Sequence, residues 1–344
     1  MNLSKHSLFG ILAVLIAVCP VTRAIAQEEA DQITSDTAPK NKVVATITVG
    51  SGPHVIAVSP DNNTVYVANV LSNTISVIDA KTNKVVGTPY SAGSFPDGLA
   101  VTPDGTELYV ANYIASGTVS ILNASTGALI KQISVGDDPR YLQISPNGKL
   151  AYVANQNSGT ISVIDTATQT VTGSITIGAH ASSAAFSPNG ALAYATEDFT
   201  DTVDVINTAT SAIEKSITTT TDPVYCVVNP KGKQDVYVLN FEVAKISVIQ
   251  SDAVIKTFAP GEVPGFPAVT PNGSYLYIPQ SYTSGTNPGD TVVMVSTKTY
   301  KKVGKAIKVG KQPDWVTISH NGTSAYVSNY AAGTVSVIKI TPAQ

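Results

Sequence analysis

The chain has 344 residues, of which only 13% are charged, and its 21 basic and 24 acidic residues give a net charge of −3. So few basic residues, with no basic stripe among them, argue against a nucleic-acid-binding protein held by phosphate contacts. Beyond the N-terminal segment, no apolar run is long enough to span a bilayer.

The N-terminal segment, residues 1–26, has the layout of a secretory signal peptide. Lys5 precedes an apolar run over residues 8–18, and residues 24–26 (Ala-Ile-Ala) offer small side chains for cleavage. We therefore expect cleavage near Ala26, followed by export to the periplasm, to the cell surface or out of the cell. Cys19 leaves a lipoprotein as the alternative.

The mature chain then begins with a polar, acidic stretch. Removal of Lys5 and Arg23 would leave 19 basic and 24 acidic residues, a net charge of −5, and Cys226 as the only cysteine. An intrachain disulfide is thereby excluded. Residues 27–40 predict a disordered leader, and residues 41–341 predict a single domain.

A sevenfold repeat fills that domain. Each unit contains a tyrosine that anchors a short apolar strand, and the intervals between these tyrosines are 43, 43, 42, 43, 40 and 49 residues. The seven anchors are Tyr66, Tyr109, Tyr152, Tyr194, Tyr237, Tyr277 and Tyr326. A fixed period near 40 residues, built of short strands, is typical of a β-propeller. We predict an all-β, seven-bladed β-propeller with four antiparallel strands per blade.

The two ends of the repeat array complement each other. Residues 334–338 have the pattern of a third strand with no fourth strand after it, whereas residues 42–49 have that of a fourth strand with no blade before it. We therefore predict that the N-terminal strand completes the last blade as its outermost strand and closes the ring.

The repeat units resemble the YVTN family of β-propeller repeats. The resemblance rests on the Tyr-Val-Ala-Asn strands at 66–69, 109–112 and 152–155, on Ser-Pro-Asp at 59–61, and on Ser-Val-Ile-Asp at 76–79 and 162–165. It covers residues 42 to 340 and implies a propeller of the exported or surface-layer kind. Some relatives carry haem d1 or adjoin quinone-dependent dehydrogenases, and one periplasmic member is reported to bind single-stranded DNA. The seven-bladed 6-phosphogluconolactonases are similar in fold, but no catalytic motif transfers from them.

The later repeats depart from this pattern. Residues 194–197 and 277–280 replace the usual strand ending, Ala181 stands at a leading proline position, and His320 replaces the second proline of the last repeat. Residues 282–290 are an insertion that accounts for the 49-residue interval.

A candidate site follows from the blade geometry. The innermost strands of a propeller start at one mouth of the central channel, so residues near the leading proline of each repeat should gather there. We predict a ligand-binding site at this mouth formed by His54, Asp97, Arg140, Tyr141, His180, Tyr225, Phe266, Asp314 and Trp315. Aromatic walls with a few polar groups suit a small molecule. The alternative is that these positions are exposed and variable, with the aromatic side chains packing between blades.

Metal and nucleophile signals are weak. Glu197, Asp198 and Asp201 could hold Ca²⁺ through oxygen ligands, but a solvated turn is the interpretation we favour, and we predict no metal and no cofactor. Cys226 occupies a strand position that is apolar in other repeats, which favours a buried core residue over a nucleophile.

Motifs for haem attachment, a nucleophile elbow or a phosphate-binding loop are missing from the sequence. We predict no catalytic residues and an exported, monomeric, non-enzymatic scaffold that binds a protein, a glycan or a small ligand at one face of the ring. One alternative is a lactonase or hydrolase that uses His54 or His180 as general base, with Arg140 steadying an anion. A second, resting on the resemblance alone, is an accessory to periplasmic redox enzymes.

Overall fold

Short runs of β-branched and apolar residues, separated by turns rich in Gly, Asn and Asp, form seven antiparallel sheets in a ring. The computed structural model describes residues 38–178, 180–232, 234–283 and 287–342. The predicted signal peptide and all but the last three residues of the predicted leader lie outside these ranges. Within them every regular element is a strand, and there is no helix that could cross a membrane.

The strands of each blade are given in order from the innermost, next to the central channel, to the outermost. Blade 1 comprises Pro53–Val58, Thr64–Asn69, Thr74–Asp79 and the short segments Lys84–Val85 and Tyr90–Ser91. Blade 2 comprises Pro96–Val101, Glu107–Asn112, Thr118–Asn123 and Leu129–Ser134. Blade 3 comprises Pro139–Ile144, Leu150–Asn155, Thr160–Asp165 and Thr170–Thr176. Blade 4 comprises Ala181–Phe186, Leu192–Glu197, Thr202–Asn207 and Ala212–Thr218.

The remaining blades follow the same plan, with one interruption. Blade 5 comprises Pro223–Val228, Val236–Asn240, Lys245–Gln250 and Ala253–Phe258. Blade 6 has its innermost strand broken into Val263–Pro264 and Ala268–Val269, followed by Tyr275–Tyr282, Pro288–Ser296 and Ile307–Lys308. Blade 7 comprises Pro313–Ile318, Ser324–Asn329, Thr334–Thr341 and the N-terminal strand Lys40–Thr48. The predicted seven-bladed architecture is confirmed.

The N-terminal strand closes the ring, as the repeat count predicts. Lys40–Thr48 pairs antiparallel with Thr334–Thr341, and the last backbone bond of this ladder runs from the Val49 N–H to the Gly333 carbonyl at 3.0 Å. The strand begins at Lys40, one residue inside the predicted leader. Tyr277 of blade 6 donates a hydrogen bond to Asn41 Oδ1 at 2.7 Å, which also ties the closing strand to the neighbouring blade.

The recurring asparagine at the end of the second strand has a structural role. Asn69 Nδ2 donates to Thr74 Oγ1 at 3.2 Å and to Ser76 Oγ at 2.9 Å, both on the adjacent third strand. The same pair of bonds is made by Asn112, Asn155 and Asn329. Because a buried hydrogen bond contributes about 1 kcal/mol net, this residue pins the second strand of a blade to the third.

The anchor tyrosines join one blade to the next. Tyr109, Tyr152, Tyr237 and Tyr277 are fully buried, and the Tyr66 hydroxyl donates to the Ala124 carbonyl of blade 2 at 2.9 Å. A four-stranded sheet buries little by itself, so most of the core lies between facing blades. This packing fixes the innermost strands around a common axis, and those strands position the candidate site.

Candidate functional site

The direction of the innermost strands distinguishes the two ends of the central channel. We call the end where these strands begin, near Pro53 and Pro139, the upper mouth, and the end where they finish, near Pro60 and Pro146, the lower mouth. The residue before an innermost strand commonly has a left-handed backbone, as at His180 (φ 63°). This turn reverses the chain from the outer edge of one blade to the axis of the next.

His54 is held between two carboxylates at the upper mouth. Its Nδ1 lies 3.1 Å from Asp97 Oδ1, and its Nε2 lies 3.0 Å from Asp314 Oδ2. Burial by itself lowers the pKa of His54, but the attraction of Asp314 and Asp97 outweighs it and raises the pKa to about 10. The two carboxylates thus favour the protonated imidazole, which is the form that does not act as a general base.

Arg140 completes this charged group. Its Nε lies 3.5 Å from Asp97 Oδ2, its Nη1 donates to Ser182 Oγ at 3.4 Å, and its guanidinium carbon lies 5.3 Å from the centroid of the Tyr141 ring. Gly98 allows the innermost strands of blades 2 and 3 to approach closely at this point, because a Cβ there would lie 2.3 Å from the Arg140 carbonyl oxygen. Two cations thus face two carboxylates, so the charges of the group compensate one another.

Four aromatic side chains meet on the axis of the ring. Tyr141, Tyr225, Phe266 and Trp315 come from four different blades, and all six pairs among them have ring centroids 5.0 to 5.7 Å apart. His54 packs against three of them, at 5.5 to 5.9 Å. These rings, which we call the aromatic plug, fill the axis instead of lining an open channel.

His180 lies in a separate group on the upper face. Its Nδ1 is 3.8 Å from Asp198 Oδ1, and its ring packs against Phe199, which is 70% exposed. Gln156 donates to Asp198 Oδ2 at 3.2 Å and accepts from the Tyr113 hydroxyl at 2.9 Å. The other eight predicted site residues form one connected cluster around His54. A role in ligand binding stays a prediction for all nine.

A cavity at the lower mouth was not predicted from the sequence. It has a volume of about 640 Å³, and the plug residues Tyr141, Tyr225 and Trp315 form its inner end. Its walls come mainly from the innermost strands of blades 1, 2 and 3. Apolar strand residues of this kind have the sequence pattern of a hydrophobic core. Only the second prolines of the repeats mark the rim of the cavity in the sequence; these are Pro60, Pro103 and Pro146.

Blade 4 replaces the asparagine–serine pair with two carboxyl groups. Glu197 stands at the asparagine position and Asp204 at the serine position, both almost completely buried. Burial, together with hydrogen bonding and repulsion involving Asp204, raises the pKa of Glu197 to about 7. The predicted acidic turn is thus partly buried. Among the described residues no group of three His, Cys, Asp or Glu side chains is arranged to hold a metal ion.

Cys226 is a buried thiol at the edge of the lower cavity. Its Sγ lies 3.3 Å from the Tyr194 carbonyl oxygen, and its N–H donates to Ser183 Oγ at 3.2 Å. Burial raises the pKa of the thiol to about 12. Because the thiolate is the nucleophilic form, burial disfavours the reactive state of this cysteine.

Comparison with known proteins supports the propeller and leaves the activity open. A family model described as lactonase, 7-bladed beta-propeller, matches residues 29–179, which is less than half of the chain. No curated protein matches. The finer resemblance to YVTN repeats stays a prediction.

Two solved structures illustrate the likeness. Hydrazine synthase of Kuenenia stuttgartiensis is 26% identical over 84% of this chain and 95% of that chain, with a TM-score of 0.70. The β-propeller domain of Cps50 (Swd1) from Myceliophteria thermophila is 12% identical over 88% of this chain and 100% of that chain, with a TM-score of 0.73. At that identity the second likeness concerns the fold alone. Both likenesses support the propeller fold of this chain.

Proposed function

We propose that this chain is a non-enzymatic propeller that binds a small molecule in its central channel, entering from the lower mouth. The observation that carries the proposal is the cavity of about 640 Å³ against the aromatic plug. Ligand sites in proteins are typically concave, mostly apolar and of roughly 300 to 1,000 Å³. The upper mouth offers less, because its charged side chains already pair with one another.

The protonation of His54 argues against a hydrolase that uses it as general base. A base must be unprotonated at working pH, whereas Asp97 and Asp314 keep this imidazole charged. Arg140, the group expected to steady an anion, already faces Asp97. The two residues on which that mechanism depends are therefore engaged with protein partners.

A lactonase remains the second candidate, because the matching family model bears that description. His180 is the remaining predicted base, and it stands on the upper face beside Asp198. Purified protein should be incubated with lactones of different ring size while acid release is followed. We expect no turnover, and turnover that His180→Ala abolishes would establish the enzyme instead.

Binding can be tested by thermal unfolding of the mature protein with a panel of small molecules. A ligand of the native state raises the melting temperature by mass action. Ala57 lines the lower cavity, so Ala57→Phe should remove the shift, whereas Ala209→Phe, on an exposed turn, should retain it. A compound that stabilises Ala57→Phe normally but no longer stabilises Asp97→Asn would place the site at the upper mouth and contradict the proposal.

We also infer export of the protein, from the signal-peptide layout of residues 1–26. N-terminal sequencing of the protein from the exported fraction of its host should find Gln27 as the first residue. A cytoplasmic protein that retains residues 1–26 would contradict this, and a lipid on Cys19 would favour the lipoprotein alternative.

A further inference from the structure

We propose that the lower cavity takes an uncharged, ring-containing small molecule that packs on the aromatic plug and is oriented by Gln143 and His320 at the rim. This inference rests on the proposed function and names the ligand class of the same site. It follows from the walls of the cavity, the position of the charges, the inner end and the polar rim.

The walls carry no permanent charge. Aliphatic side chains such as Ile56, Leu99 and Leu142 line the cavity, and among the described residues no Asp, Glu, Lys or Arg belongs to its lining. Moving a charged group from water into such surroundings without a partner is costly. A ligand that carries a carboxylate or an ammonium group inside the cavity would therefore lose its hydration and gain no counter-charge.

The charges of the channel cannot supply that partner. His54, Asp97, Asp314 and Arg140 lie towards the upper mouth, and each already faces an opposite charge. The aromatic plug stands between them and the lower cavity, since Tyr141 and Trp315 contact His54 and also form the inner end of the cavity. The two sides of the plug are thus chemically distinct.

The inner end favours a ring. Tyr141, Tyr225 and Trp315 present aromatic surface to the cavity, and aromatic rings gain from tilted or offset contacts with other rings beyond simple burial of area. These three side chains also pack against one another at 5.0 to 5.7 Å. Since they hold one another in place, they offer a preformed surface.

Two polar groups near the rim can orient the ligand. The Gln143 side chain accepts a hydrogen bond from the Phe186 N–H through Oε1 at 2.7 Å. Because this bond fixes the oxygen end of the amide, the NH₂ group points the other way and can donate to a ligand. His320 Nε2 lies 3.1 Å from the Val58 carbonyl oxygen. That bond requires a proton on Nε2, so Nδ1 of the neutral ring is an acceptor. A ligand with one acceptor and one donor would match both groups.

The single tryptophan of the chain provides the readout. Trp315 is the only tryptophan and forms part of the inner end of the cavity, so a nitroaromatic bound there should quench its fluorescence. Three probes share the nitrophenyl ring and differ in charge: 4-nitroanisole, 4-nitrobenzoate and 4-nitrobenzylammonium. Each is titrated into the mature wild-type protein and into Ala57→Phe, Gln143→Leu and Ala209→Phe. Circular dichroism and melting establish that the variants are folded.

We expect saturable quenching by 4-nitroanisole, at least tenfold weaker binding of both charged probes, and at least tenfold weaker binding to Ala57→Phe. Gln143→Leu, which keeps the side-chain volume, should weaken the neutral probe a few-fold, and Ala209→Phe should match the wild type. Equal or tighter saturable binding of a charged probe, lost in Ala57→Phe, would overturn the ligand class while retaining the site. Linear quenching by all three probes, or quenching unaltered by both Ala57→Phe and Gln143→Leu, would overturn the proposed function as well.

Discussion

The two sides of the aromatic plug use opposite chemistry. On the upper side His54, Asp97, Asp314 and Arg140 bring four charges together and pair them with one another. On the lower side a cavity of about 640 Å³ is walled by aliphatic residues, and the described part of the chain places no Asp, Glu, Lys or Arg in its lining. The residue types usually found in catalytic sites are therefore paired with one another on the upper side. The cavity on the lower side is lined by residue types that usually form a hydrophobic core.

Both sides of the plug depend on a closed ring, and the largest expected effect comes from opening it. Deletion of residues 41–50 removes most of the ladder between Lys40–Thr48 and Thr334–Thr341 and exposes a sheet edge. Since each ladder bond contributes about 1 kcal/mol net, the free energy of unfolding should fall by several kcal/mol. Urea denaturation measures this, and a truncated protein as stable as the full chain would contradict the closure.

The charged side can be broken at one carboxylate. Asp314→Asn leaves the buried His54 with Asp97 alone, and removal of one partner from a buried ion pair costs about 3–5 kcal/mol. We expect a loss of roughly 3 kcal/mol at pH 7 in urea denaturation. Asp252→Asn, at an exposed turn position, is the matched control and should change stability little. Equal losses of stability in the two variants would show that the contacts of His54 with Asp314 do not stabilise the fold.

The same group predicts a pH dependence with a definite sign. The pKa of His54 is raised from 6.5 to about 10, so its contribution to stability is fully present below about 6.5 and is lost as the pH rises through about 10. The wild type should lose stability across this window. His54→Gln should be less stable at pH 7 and should show a flatter profile from pH 7 to 10. If the stability of His54→Gln fell as steeply with pH as that of the wild type, the pH dependence could not come from His54.

Blade 4 offers a smaller effect in a different pH window. The pKa of Glu197 is raised from 4.5 to about 7, so its contribution is fully present below about pH 4.5 and is lost as the pH rises through about 7. The double variant Glu197→Asn, Asp204→Ser restores the pair used by the other blades. Its free energy of unfolding at pH 8 should be roughly 1–2 kcal/mol higher than that of the wild type. Its stability should also change less with pH between 4.5 and 7. A gain that is equally large at pH 4 would point to packing instead.

Cys226 should give the smallest effect. The buried thiol has a pKa raised to about 12, so it should not react with a maleimide in the native protein at pH 7.5 and should react fully once unfolded. Cys226→Ala removes one buried heavy atom and should cost about 1 kcal/mol. Rapid labelling of the native protein would contradict the burial of this side chain.

Much of the fold follows from the sequence, because the repeat fixes it locally. The tyrosine interval, the turn residues and the unmatched end strands predict seven blades and their closure, and Lys40–Thr48 pairs where expected. The rule that innermost strands share an axis also predicts that His54, Asp97 and Trp315 lie near one another. These predictions depend only on periodicity and on the direction of strands.

The remaining features depend on distances that a sequence does not contain. Whether Tyr141 and Trp315 line a channel or fill it is decided by the ring diameter, which results from packing between blades. The pairing of Glu197 with Asp204 requires the register of two strands. Apart from the prolines at its rim, the lower cavity has no sequence signature, because residues such as Leu142 have the same pattern whether they face a cavity or another side chain.

The contrast between the two sides of the plug can be tested in one binding measurement. The dissociation constant of 4-nitroanisole is determined from Trp315 fluorescence for the wild type, for Ala57→Phe below the plug and for Asp97→Asn above it, at a temperature where all three are folded. We predict that Asp97→Asn binds within a factor of about two of the wild type and that Ala57→Phe binds at least tenfold more weakly. Loss of binding in Asp97→Asn with full binding in Ala57→Phe would contradict a site below the plug and would place the ligand at the upper mouth.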